Sequence, residues 1–171
     1  MKKKIPNDHI STHKKVDELE LQAMKALFSQ SQNKHSELKV FKNPDQRPKN
    51  GIVEIIDPEN NKCVAREIYI NGQLNGPMTW FYPNGKISMK YNFFNGQQHG
   101  LCEIFYEDGT KWRSGLWQMG KLVGTHEDFH ENGLLHQRSF YKNGKLEGKV
   151  MTYLDTGELE WEKEYLNGEE I

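Results

Sequence analysis

Cysteine is nearly absent: Cys63 and Cys102 are the two in 171 residues, too few for the disulfide framework that holds many small secreted domains together. They also fall at different places in the glycine spacing described below, so nothing in the sequence brings them together. Long apolar runs are missing too, and no stretch approaches the ~20 residues that a membrane-spanning helix needs. Met1-Lys2-Lys3-Lys4 starts like a secretory leader, but Ile5-Pro6-Asn7-Asp8-His9 stands where the apolar segment should follow. These absences lead us to expect a reduced, cytoplasmic protein. Hydrophobic residues are also sparse, 35% against 27% charged, with a mean hydropathy of -0.87. That is polar for two packed layers and suits a thin structure with much exposed surface. Aromatics are the exception at 11%, which separates the chain from aromatic-poor disordered sequences.

No sign of charge dominates, since 23 Lys and Arg face 24 Asp and Glu. Their placement is uneven: residues 1–50 carry 11 basic and 6 acidic groups, residues 51–171 carry 12 and 18, and residues 147–171 hold 2 and 8 of these. The chain has a basic head and an acidic tip. Residues 51–146 balance at 10 basic and 10 acidic groups. They offer no coherent basic face for a membrane, and Lys2-Lys3-Lys4 alone is slight support for nucleic acid.

Glycine carries the main signal. Gly76, Gly100, Gly124 and Gly148 are 24 residues apart, as are Gly85, Gly109, Gly133 and Gly157, and Gly72, Gly96, Gly120, Gly144 and Gly168. Pro83-Asn84-Gly85, Glu107-Asp108-Gly109, Glu131-Asn132-Gly133 and Asp155-Thr156-Gly157 read as tight turns, because Gly and Asn tolerate positive φ. Asn71-Gly72, Asn95-Gly96, Asn143-Gly144 and Asn167-Gly168 are hairpin turns of the strongest kind. Between them lie segments of strand length, so each repeat reads as a β-hairpin. Phe81, Phe105, Phe129 and Tyr153 share one position, with Ile56 in the first copy. Phe93, Trp117, Tyr141 and Tyr165 share another, with Tyr69. These two aromatic series are the expected core, buried by stacking of neighbouring hairpins. The expectation is a mainly β protein, an elongated single-layer antiparallel sheet of tandem 24-residue hairpin repeats with an amino-terminal helix.

The unit from Gly76-Pro77-Met78-Thr79-Trp80-Phe81-Tyr82-Pro83-Asn84-Gly85 to Phe93-Phe94-Asn95-Gly96-Gln97-Gln98-His99-Gly100 resembles a MORN-variant repeat and, more narrowly, is similar to the bacterial YwqK-type antitoxin family. The likeness covers about two-thirds of the chain, from Gly51 onward. It implies a twisted sheet of hairpins and neutralisation of a cognate toxin by direct contact, with no catalytic residues and no cofactor. MORN repeats more broadly imply protein scaffolding or contact with lipid headgroups. Departures are the first copy, where Asp57-Pro58-Glu59-Asn60-Asn61 replaces the glycine turn, Met119 where Asn is usual, and the truncated end at Glu169-Glu170-Ile171.

Residues 1–50 do not repeat. Asp17-Glu18-Leu19-Glu20 has the form of a capping box, and Leu19, Ala23, Ala26 and Leu27 recur at helical spacing. We expect a helix near residues 14–30, either covering the first edge of the sheet or serving as a flexible arm or oligomerisation handle, and then a loop through Asn43-Pro44-Asp45-Gln46-Arg47-Pro48. Residues 51–171 form the array of about five copies, the first degenerate and the last truncated.

His126-Glu127-Asp128-Phe129-His130 satisfies the H-E-x-x-H zinc signature. In the strand expected here, residues i and i+4 sit roughly 13 Å apart, too far to share zinc bonds of about 2 Å. No metal site is expected from it, and no Ser/His/Asp arrangement or phosphate loop points to an enzyme.

Binding residues are sought where copies break the pattern. One strand face reads Met78-Trp80-Tyr82, Cys102-Ile104-Tyr106, then His126-Asp128-His130, then Val150-Thr152-Leu154. Together with His136, this polar interval is either a solvated stretch or a contact patch. As a patch, His126 and Asp128 should be removable with thermal stability nearly intact. Trp112, whose equivalents are Ser88, His136 and Glu160, is out of register with the aromatic series and is either an interface anchor or packed locally against the neighbouring strand. Glu158, Glu160, Glu162 and Glu164 recur at period two in the last long strand, either as edge protection or to meet a basic partner surface. The expected partner is another protein, a toxin in the antitoxin reading; nucleic acid is not expected, and membrane association is the weaker alternative.

Overall fold

The computed structural model describes residues 39–171; the helix expected near residues 14–30 lies outside the described residues. The described chain forms one open sheet of fifteen strands. A short strand β1 (Val40–Lys42) precedes the hairpin of β2 (Gly51–Ile56) and β3 (Cys63–Ile70). The second repeat holds β4 (Gln73–Leu74), β5 (Gly76–Phe81) and β6 (Ile87–Phe94), and the third β7 (Gln97–Gln98), β8 (Gly100–Phe105) and β9 (Lys111–Gln118). In the fourth, β10 (Lys121–Phe129) runs unbroken through Gly124 before β11 (Leu135–Lys142). β12 (Lys145–Leu146), β13 (Gly148–Tyr153), β14 (Leu159–Leu166) and β15 (Glu169–Glu170) complete the sheet.

The turns follow the glycine spacing. At the Asn-Gly series both residues take positive φ, as at Asn71 (52°) and Gly72 (77°), the twist that matches two right-twisted strands. Each of these glycines also donates its amide back to the preceding repeat, Gly96 to Leu74 O and Gly144 to Leu122 O, both at 2.8 Å. In the other turn series a side chain closes the loop: Asn84, Asp108 and Asn132 accept from the amides of Lys86, Thr110 and Leu134. The degenerate first turn uses Asn61 at φ 59°, with Asp57 accepting from the Glu59 amide, in place of glycine.

Met119 occupies the Asn position of its turn at φ 47°, a region that is costly for an ordinary side chain and mild for Asn. Met119→Asn is expected to stabilise the protein by roughly 0.5–1 kcal/mol, read as a raised melting temperature. An unchanged or lower melting temperature would contradict that account of the turn.

Two expectations need correction. The sheet is mixed and not wholly antiparallel, because β1 pairs with β2 in parallel, Val40 opposite Ile52 and Lys42 opposite Glu54. Asn43 fixes this arrangement, its side chain bonding both the amide and the carbonyl of Ile56. Among the described residues it is this strand, adjoining the expected loop, that occupies the β2 edge.

The aromatic series are the second correction. Phe81, Phe105, Phe129 and Tyr153 are half-buried, as are Phe93, Trp117, Tyr141 and Tyr165. Among the described hydrophobic side chains, burial is completed only at Val53, Ala65, Ile68, Tyr69, Cys102 and Val150. Cross-strand pairs share a face, and the pairs Val53–Glu67, Ala65–Trp80, Cys102–Gly115, His126–Ser139 and Thr152–Trp161 put most buried positions on one face. Buried Glu67 there is paired with Arg47 at 3.0 Å and accepts from the Tyr69 hydroxyl at 3.1 Å, so its charge is compensated.

Each long hairpin slips register once. Ile104 faces Arg113 while Phe105 faces Lys111, leaving Trp112 without an opposite residue. The same slip leaves out Val64 in β3, Ser88 in β6, His136 in β11 and Glu160 in β14. A β-bulge therefore recurs in every repeat at one equivalent position.

Candidate functional site

The bulge explains why Trp112 is out of step with the aromatic series. A bulge frees one side chain from strand alternation and re-aims it. The Trp112 ring lies 6.1 Å from that of Tyr106, the Arg113 guanidinium carbon sits 5.2 Å from its centre, and it remains 41% exposed. Asp128 accepts two bonds from Arg113, Nε to one carboxylate oxygen and Nη2 to the other at 3.1 Å. That bidentate pair keeps the guanidinium charged and fixed, and it raises the Arg113 pKa, the Asp128 hydrogen bond being the first cause. Trp, Tyr and Arg on a rigid strand are the residue types that anchor protein interfaces. Tyr106 and Arg113 were not singled out in the sequence, although the recurrence of Tyr82 and Tyr106 at one position was visible.

Tyr106 has a structural duty as well. Its hydroxyl donates to Phe129 O at 2.8 Å, as Tyr82 donates to Phe105 O at 2.6 Å. His130 occupies the next equivalent position, with Nε2 2.8 Å from Tyr153 O. It fills the rung that tyrosine fills elsewhere and lies tilted against the bulge residue His136, ring centres 4.6 Å apart. The Tyr106–Trp112 pair of one repeat is thus a His130–His136 pair in the next.

His126 belongs to the packing. Its ring lies over Gly115, where a Cβ would meet His126 Cδ2 at 2.6 Å, and it stands edge-on to Tyr141 at 5.8 Å. Burial, the first cause, lowers its pKa; Asp128 opposes this and Arg113 adds to it. Since Asp128 is bound to Arg113 and His126 fills space above a glycine, removing both would cost stability. That cost is the outcome expected here for the His126→Ala, Asp128→Ala double variant, to be read as a lowered melting temperature. Positions 126–129 lie in strand β10, so His126 and His130 are not on one helical face.

The four glutamates do not act as one stripe. Glu158 accepts the Leu154 amide through its carbonyl at the turn, Glu160 is the bulge residue, Glu162 pairs with Lys149 at 2.6 Å, and Glu164 lies opposite Lys149. The bulge interrupts period-two alternation between Glu158 and Glu162. The site geometry therefore centres on the bulge series, with Trp112 brought beside Tyr106 and His136 beside His130.

Among the described residues no helix is long and apolar enough to cross a membrane. The family model described as MORN repeat variant matches residues 71–95, 122–143 and 134–155. These segments span Asn-Gly turns and bulged hairpins of the array, and they support a MORN-repeat protein. MORN repeats are generally binding or scaffold modules. The chain matches no curated protein.

Proposed function

We propose that this array is a non-catalytic protein-binding module that neutralises a partner protein by direct contact, in the manner of an antitoxin or immunity protein. The observation that carries this reading is the exposed Trp112, in contact with Tyr106 and with an Arg113 that Asp128 fixes in place. An aromatic anchor whose neighbours are already ordered loses little side-chain freedom on docking, and such anchors account for most interface energy. The acidic residues 158–164 add a region where a basic partner would gain association rate.

The test is direct binding to the protein encoded beside this chain, together with co-expression to see whether that protein's toxicity is suppressed. Trp112→Ser installs the residue that the equivalent bulge carries at Ser88. We expect it to weaken binding by more than about tenfold while the melting temperature holds. Tight binding by Trp112→Ser, or absence of any complex, would overturn the reading. Sedimentation with anionic liposomes in place of the partner would instead mark a membrane scaffold.

A further inference from the structure

We infer that His130 and His136 form a binding site for one late first-row transition-metal ion, with zinc, nickel or copper(II) as the ions of matching chemistry. Sequence spacing hides this pair, because it sets His130 against His126. The hairpin instead folds His136 back onto His130 across the bulge, while His126 is engaged with Gly115 and Tyr141.

Two features carry the inference. The first is spacing: two imidazoles that bind one ion through bonds of about 2.0–2.1 Å, at angles near tetrahedral or square, have ring centres about 4.5–5 Å apart. The observed separation is 4.6 Å, with the rings tilted by 53° and not stacked flat. The second is the tautomer. A carbonyl oxygen only accepts, so His130 Nε2 carries the proton in its bond to Tyr153 O, and in the neutral ring Nδ1 keeps its lone pair. Anchoring one ring N–H on a backbone carbonyl is the usual way a metal-binding histidine is oriented. His136 is exposed at the bulge, so an ion reaches the pair without opening the sheet.

Imidazole nitrogen selects Zn, Cu and Ni over the oxygen-seeking Mg and Ca. Among the described residues no group of three or more ligating side chains converges. The pair therefore supplies two ligands and leaves the remaining positions to water, giving an open site with exchangeable metal whose affinity follows Cu²⁺ above Ni²⁺ and Zn²⁺.

The array provides its own control substitutions. His130→Tyr restores the rung used by Tyr82 and Tyr106, and His136→Ser copies Ser88, so each removes a ligand with the hairpin retained. Full-length protein is titrated calorimetrically with Cu²⁺, Ni²⁺, Zn²⁺ and Mg²⁺, and folding is followed by circular dichroism. The expected result is one equivalent of transition metal, more than about tenfold weaker binding in each variant, no Mg²⁺ binding and wild-type affinity in His99→Ala. The copper signal in electron paramagnetic resonance should show two nitrogen ligands in the wild type. No binding by the folded wild type, or unchanged affinity in either variant, overturns the site; unchanged affinity would place the ion on histidines elsewhere in the chain.

Discussion

Gly115→Ala is expected to lower stability by about 1–3 kcal/mol, the usual cost of forcing extra volume into a filled space, and His126→Ala in the same chain to recover most of that loss. Gly115 is buried in β9, directly opposite His126. An added Cβ would meet the His126 ring at 2.6 Å. Its backbone is not in the left-handed region, so the penalty is steric and belongs to the contact with the ring. Denaturant unfolding of the two single variants and the double variant isolates the coupling. Wild-type stability in Gly115→Ala, or a double variant no better than it, would refute the packing account.

The same ring gives the protein an acid sensitivity whose sign is fixed by burial. The folded-state pKa of His126 lies below its ordinary value of 6.5, so the unfolded chain takes up the proton first. Its contribution is fully present above pH 6.5 and is lost as pH falls through the lowered folded value. Unfolding measured across that window should show a shallower acid dependence in His126→Ala than in the wild type. Equal slopes would mean that the ring is as solvated as a free imidazole.

The second large effect is expected near one end of the described sheet, where Gly51→Ala should cost roughly 2 kcal/mol or more through combined strain and overlap. Gly51 has a φ of 149°, and a Cβ there would meet Phe41 Cε2 at 2.6 Å and the Lys39 carbonyl oxygen at 2.8 Å. A side chain can turn away, but that carbonyl is already committed as the acceptor of the Ile52 amide at 2.9 Å. Trimming Phe41 to alanine should therefore fail to rescue the variant. Hydrogen exchange at the Ile52 and Asn43 amides, which bond Lys39 O and Glu54 O, should accelerate as β1 detaches. Native protection at both amides in Gly51→Ala would show that the strand tolerates the added atom.

The hairpins were legible because the turns demand particular backbone angles that few residues adopt. Asn71, Asn95, Asn143 and Asn167 all take the positive φ that their pairing with glycine implies. The parallel strand β1 was not legible: Val40-Phe41-Lys42 is too short to show a period, and its pairing depends on Asn43 reaching Ile56. Nor did the sequence announce the bulge, since Val64, Ser88, Trp112, His136 and Glu160 share no chemistry and are set by register alone. The aromatic series lie in the strands that their spacing implies but are less buried than a core would be, because among the described residues a single layer offers neighbours beside a ring and none above it. For His126 the missing information was its cross-strand neighbour. A histidine in a polar interval looks like a surface residue until Gly115 is found beneath it.

The bulge has an evolutionary corollary. A residue left out of the pairing register carries little obligation to the scaffold, and Ser, Trp, His and Glu already occupy equivalent places in successive repeats. Selection can therefore rewrite such positions one at a time, altering what the surface recognises while the hydrogen-bonded framework beneath is inherited unchanged.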